Sequence, residues 1–197
     1  TLAGKREQQS VFASTTLGFK EMIYLDLTAR NDWTSTLSNT DNNSFFYPSV
    51  GITTILSEAF ELPEAISYAK VRASYAEVGN DLPAFVSQPQ FSAPFGQGAF
   101  IQSITSVVPL KPELQKSTEF GLEAKFIDNR LGFNATYYQT NTNDQIIPIS
   151  TPTSGQGLTQ TFINAGNIQN QGLEVSINAS IIRNDNFEWN SILNYAV

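Results

Sequence analysis

The sequence has 197 residues, 41% of them hydrophobic and 12% aromatic, with a formal net charge of −7. Such a chain is too apolar for disorder, and its acidic balance without a basic run excludes a nucleic-acid-binding surface. The absence of Cys and His removes thiol nucleophiles, His-based triads and the usual zinc sites.

Thr1 to Ser10 is polar and has no apolar signal-peptide region. No run approaches the ~18 apolar residues of a spanning helix, which leaves a membrane β-barrel open because its strands alternate. Val11 to Gly18 shows a weak period of two. In Met22 to Arg30, Ile23, Leu25, Leu27 and Ala29 alternate with Tyr24, Asp26, Thr28 and Arg30. One face of that segment is greasy and the other polar, as a two-sided strand requires. Phe46 to Leu56 repeats the period weakly, and Ala69 to Tyr75 sets Lys70, Arg72 and Ser74 on its polar side. Phe120, Leu122, Ala124 and Phe126 then alternate with Glu119, Gly121, Glu123 and Lys125. Leu131, Phe133, Ala135 and Tyr137 follow, then Leu173, Val175, Ile177, Ala179 and Ile181, and last Phe187, Trp189, Leu193 and Tyr195. Each row has polar partners between its members.

The pattern predicts about eight strands, many near the ~9–11 residues that cross a bilayer at a tilt. Their connections alternate in kind. Phe19-Lys20, Ser57 to Glu64, Asp128-Asn129 and Arg183 to Asn186 are short. Asp32 to Ser44, Asn80 to Pro112 and about Ile147 to Gln160 are long and rich in Asn, Ser, Thr, Gly, Pro and Gln. Tight turns at one end and large loops at the other predict an all-β, antiparallel, up-and-down transmembrane β-barrel, present in part. Phe126, Phe133, Phe187 and Trp189 fall beside short turns, and Phe45, Phe46, Tyr75, Tyr137 and Tyr138 nearer long loops, as two interfacial belts.

Few residues suggest chemistry. Glu119 and Glu123 share a strand face with Lys125, which suits a wet lumen better than an acid–base cleft. Asp26 and Arg30 share a polar face, as do Lys70 and Arg72. Asp41, Asn42 and Asn43 lack the Gly and terminal Glu of a calcium loop. The Asn-x-Ser/Thr triplets at Asn134 and Asn178 fall inside strands. No catalytic, cofactor or metal residue is expected. The long connections hold Trp33, Phe85, Phe91, Phe95 and Phe100, which suit stacking on sugar faces or packing on a protein cap. These five are the candidate contact residues.

Several segments resemble the barrel of SusC/RagA-like TonB-linked outer-membrane proteins. Ala29-Arg30-Asn31-Asp32-Trp33, with Phe45-Phe46-Tyr47-Pro48-Ser49-Val50-Gly51 after it, is similar to that family's strand-loop-strand signature. So is the run from Ile66 to Asp81. Leu110-Lys111-Pro112-Glu113 with Glu119-Phe120-Gly121-Leu122-Glu123 resembles a motif of TonB-dependent receptors at large, and Asn164 to Glu174 again looks SusC-like. The resemblance implies a ~22-stranded barrel around an N-terminal plug. It also implies a SusD-like surface lipoprotein as partner, TonB as energy source, a bacterial outer-membrane location, and import of oligosaccharide or peptide. Residues 1–197 are then expected to be part of the barrel domain, without the plug domain and the closing C-terminal strands. The alternative is a secreted all-β binding or adhesion module, in which the apolar rows would be buried between stacked sheets.

Overall fold

The computed structural model describes residues 5–37, 41–81, 110–150 and 160–197. Eight long strands form one antiparallel sheet: β1 (Gln8–Phe19), β2 (Ile23–Thr34), β3 (Ser44–Ile55), β4 (Ile66–Asn80), β5 (Glu113–Phe126), β6 (Leu131–Asn143), β9 (Ile168–Asn184) and β10 (Phe187–Ala196). Their order across the sheet is their order in the chain, with β1 and β10 at the edges. A separate hairpin, β7 (Ile146–Ser150) with β8 (Gln160–Asn164), stands between β6 and β9.

Each alternating run falls on one of the eight long strands, with only Met22 and Leu56 lying just outside them. The strands outrun the runs that revealed them; β4 has 15 residues and β9 has 17. Beyond the apolar rows both faces become polar, so the period fades from the sequence. The ladder still continues, because each backbone N–H and C=O needs a partner. β7 lies almost wholly inside a segment read from sequence as a plain connection, and β8 begins where that segment ends. Pro148, opposite Phe162, interrupts the strand signal there.

The tight turns gather at one end of the sheet. Lys20, Glu21 and Met22 join β1 to β2, the first two with φ of 49° and 58°. Residues 127–130 join β5 to β6, with Ile127, Asp128 and Asn129 at φ of 54°, 50° and 63°. A short helix, α1 (Leu56–Ala59), fills the β3–β4 connection, after which Ile66 N–H donates to Pro63 O at 2.8 Å. The three long connections leave the opposite end.

The sheet is a single layer. Among the described residues nothing stacks on its apolar face, where Leu122 is 40% exposed and Ile52 46%. The adhesion-module alternative required those side chains to be buried between sheets, and they are not. Among the described residues the largest fully buried side chains are Leu37 and Leu110, with Phe45, Ile146 and Phe162 packed around them.

Candidate functional site

Directly opposed residues of an antiparallel ladder point to the same face, so the register reads out each surface in rows. One row runs Leu17, Leu25, Ile52, Ala73, Phe120, Tyr137, Leu173. The next runs Phe19, Ile23, Thr54, Val71, Leu122, Ala135, Val175, and ends on Tyr195. Closer to the tight turns, Ala124, Phe133, Ile177 and Leu193 form a third. This face is a continuous apolar band with no protein against it among the described residues. Toward the long connections it turns polar. There Lys116 Nζ lies 3.6 Å from Glu77, which accepts a 2.5 Å hydrogen bond from the Tyr75 hydroxyl.

The opposite face is wet and charged, and cavities of about 550 and 400 Å3 open on it, so this side is concave. Its β4 and β5 residues pair across the ladder. Lys70 Nζ sits 2.6 Å from Glu123, and Arg72 Nη2 sits 3.1 Å from Glu119. Arg72 also donates to Thr136 Oγ1 at 3.0 Å. The side chain of Arg72 crosses over Gly121, where any Cβ would collide with it. Tyr68 lies between two ammonium groups, 6.0 Å from Lys70 and 5.3 Å from Lys125. Glu119 and Glu123 are thus each matched to a cation on the neighbouring strand and do not converge on a shared cleft.

Toward the long connections, a second polar network spans β1 to β4. Asp32 accepts from Arg30 Nε at 2.7 Å, from Gln8 Nε2 at 3.0 Å and from the Tyr47 hydroxyl. Asp81 accepts from Arg6 Nη2 at 2.6 Å, from Thr34 Oγ1 at 2.5 Å and from Thr36 Oγ1 at 3.2 Å. Gln8 joins the two halves, since its Oε1 accepts from Arg6 at 3.2 Å.

The roots of the long connections are tied to one another. Asn42 Nδ2 donates to Leu110 O at 3.3 Å. Asn164 accepts from Lys111 N–H at 2.8 Å and donates to Lys111 O and Asp144 O at 2.9 and 2.8 Å. Glu113 accepts from Ile146 N–H at 2.9 Å. Trp33, expected in a long connection, lies instead within β2, exposed and on the apolar side of the register, opposite Gln9 and Ser44. Phe85, Phe91, Phe95 and Phe100 lie outside the described residues.

The paired carboxylates Asp32 and Asp81 escaped sequence reasoning. Arg30 and Asp32 two residues apart were a usable signal, because alternation alone puts both on one face. Their link to Gln8, Tyr47 and Arg6 needs the register of three strands. The aromatic belts separate for the same reason. Phe46, Tyr75 and Tyr137 lie on the apolar side of the register, while Phe45, Tyr47 and Tyr138 lie on the concave side.

The family described as TonB dependent receptor-like, beta-barrel, matches residues 2–197. Among curated proteins, TonB-dependent receptor P26 of Formosa agariphila is 29% identical over 202 residues, covering 93% of this chain and 19% of that protein. TonB-dependent receptor P3 of the same organism is 30% identical, covering 96% and 20%. The chain therefore spans about a fifth of the length of the curated relatives it matches. Among solved structures, the RagAB peptide transporter superposes with a TM-score of 0.83 at 25% identity, covering 97% of this chain and 22% of that one. A ferric enterobactin receptor from Pseudomonas aeruginosa shares the fold at 17% identity, with a TM-score of 0.66.

Proposed function

The chain belongs to the TonB-dependent receptor β-barrel family of the outer membrane, and from that premise we propose that it supplies wall and external loops to a transporter that imports glycan or peptide nutrients. The observation that carries this reading is the two-faced sheet. An apolar band runs across the strands on one side, and a wet, charged wall faces the other. Hydrocarbon covers the first, and a solvated lumen borders the second. The likeness to the RagAB peptide transporter supports a nutrient as cargo.

In this reading the substrate is captured at the end bearing the long connections, beneath a SusD-like lipoprotein. Trp33, Phe85, Phe91, Phe95 and Phe100 contact substrate or that lipoprotein. TonB acts through a plug contributed by the rest of the receptor. The chain itself makes and breaks no bond.

The test uses the intact receptor in its own outer membrane. This chain has no Cys, so a cysteine placed in it is a clean reporter once any cysteine elsewhere is replaced. Leu122→Cys is expected to resist a water-soluble maleimide and to react with a lipid-soluble one, and Ser176→Cys to do the reverse. Deleting the receptor gene is expected to abolish growth on the oligosaccharide or peptide mixture it serves. Water-accessible Leu122→Cys, or unchanged growth on every such mixture, defeats the proposal.

A further inference from the structure

We propose that the Arg6–Arg30 network on the concave wall is a binding site for a carboxylate carried by the incoming nutrient. The proposal rests on the transporter reading, because only then does this wall face a passing substrate. It starts from an asymmetry in burial. The carboxylates of Asp32 and Asp81 are 4% and 5% exposed, while the side chains of their cationic partners Arg30 and Arg6 are 49% and 44% exposed. The negative charge lies behind and the positive charge in front.

The hydrogen bonds are distributed the same way. Each carboxylate takes three side-chain donors: Arg30, Gln8 and Tyr47 on Asp32, and Arg6, Thr34 and Thr36 on Asp81. Each guanidinium spends only part of its donor set. Arg30 uses Nε on Asp32 and Nη2 on Ser10 Oγ, and Arg6 uses Nη2 on Asp81 and Gln8. Arg30 Nη1 and Arg6 Nη1 and Nε make no close hydrogen bond among the described residues, although the Arg30 guanidinium also neighbours the Tyr47 hydroxyl. A guanidinium carries five N–H donors in a planar fork matched to carboxylate oxygens. Both forks line the same cavity of about 550 Å3. Their buried partners hold them in place, so a ligand meets donors already ordered. Phe12, across the ladder from Arg30 on the same face, is exposed and offers an apolar platform beside the charge.

The experiment titrates the intact, detergent-solubilised receptor with matched ligands by calorimetry. Trigalacturonate is set against galactotriose, and triglutamate against triglutamine, both peptides as C-terminal amides, so that the two arms separate a sugar acid from a peptide acid. At least one acidic ligand is expected to bind tenfold or more tightly than its neutral counterpart. Arg30→Gln and Arg6→Gln are expected each to erase most of that preference, and Arg72→Gln, elsewhere on the wall, to leave it intact. Arg30→Lys keeps a cation beside Asp32 but loses the fork, and is expected to retain an intermediate preference. It carries the test if Arg30→Gln fails to fold, as judged by loss of heat-modifiable mobility. No acid preference in the unaltered receptor, or a preference untouched by Arg30 and Arg6 substitutions, overturns the site. Neither result bears on Leu122→Cys labelling or on growth, so the transporter reading stands or falls separately.

Discussion

A side chain's face decides what a substitution costs. Leu122 and Val175 lie in one row of the apolar band, so Leu122→Arg or Val175→Arg places a charge in hydrocarbon, at about 2–4 kcal/mol near the midplane. Both are expected to deplete folded receptor in the outer membrane, read as loss of the heat-modifiable band. Ser176→Arg is expected to assemble normally, because Ser176 lines a concave-side cavity of about 400 Å3. Close packing gives a second prediction. The β3–β4 pairing stops at Ser49 and Ala76, and above it Gly79 backs onto the rings of Tyr47 and Phe45. A Cβ there would sit 2.9 Å from Tyr47 and 3.0 Å from Phe45. Gly79→Ala is expected to destabilise the folded receptor by about 1–3 kcal/mol, measured by urea titration. The alternation of Leu122 with Glu123 was plain in the sequence because period two acts on every neighbour. The environment of Gly79 was not, since it depends on where two distant strands part.

Strands and connections follow the same division between what is local and what is not. Every long strand announced itself through its apolar rows, and every tight turn through its brevity. Turn chemistry, however, falls short of the ideal. Lys20 and Glu21 both adopt positive φ, a conformation that costs a non-glycine residue roughly 1–2 kcal/mol. Asn-Gly is the favoured pair for such a hairpin. Replacing Lys20-Glu21 by Asn-Gly is therefore expected to raise the urea midpoint of the folded barrel, with no change in substrate uptake. The β7–β8 hairpin escaped detection for the converse reason. It belongs to no alternating row, and its position depends on clamps from other segments. Asn164 is the main one, bonded to Lys111 and Asp144. Asn164→Ala leaves those backbone groups without it, at about 1–3 kcal/mol. Faster hydrogen exchange at Lys111 and Ala165 is the expected readout, with β5 and β6 unchanged below them.

The whole sheet works as one object because the rows run unbroken across its strands. The apolar band has a definite height. Between Phe126, beside a tight turn, and Lys116, paired with Glu77, lie ten residue steps of β5. At ~3.4 Å per residue that is about 34 Å along the strand, and about 26 Å once the strand tilts by ~40°. The wall thus carries its own depth gauge, with the Lys116–Glu77 pair as its upper mark. Bacterial outer membranes are thinner than average, and mismatch costs fractions of a kcal/mol per ångström. A thicker bilayer would drag that ion pair into oil. The intact receptor is accordingly expected to insert efficiently into vesicles of short-chain lipids and poorly into long-chain ones. Lys116→Leu combined with Glu77→Leu is expected to shift the optimum toward the longer chains, so two side chains would set which membrane this wall accepts.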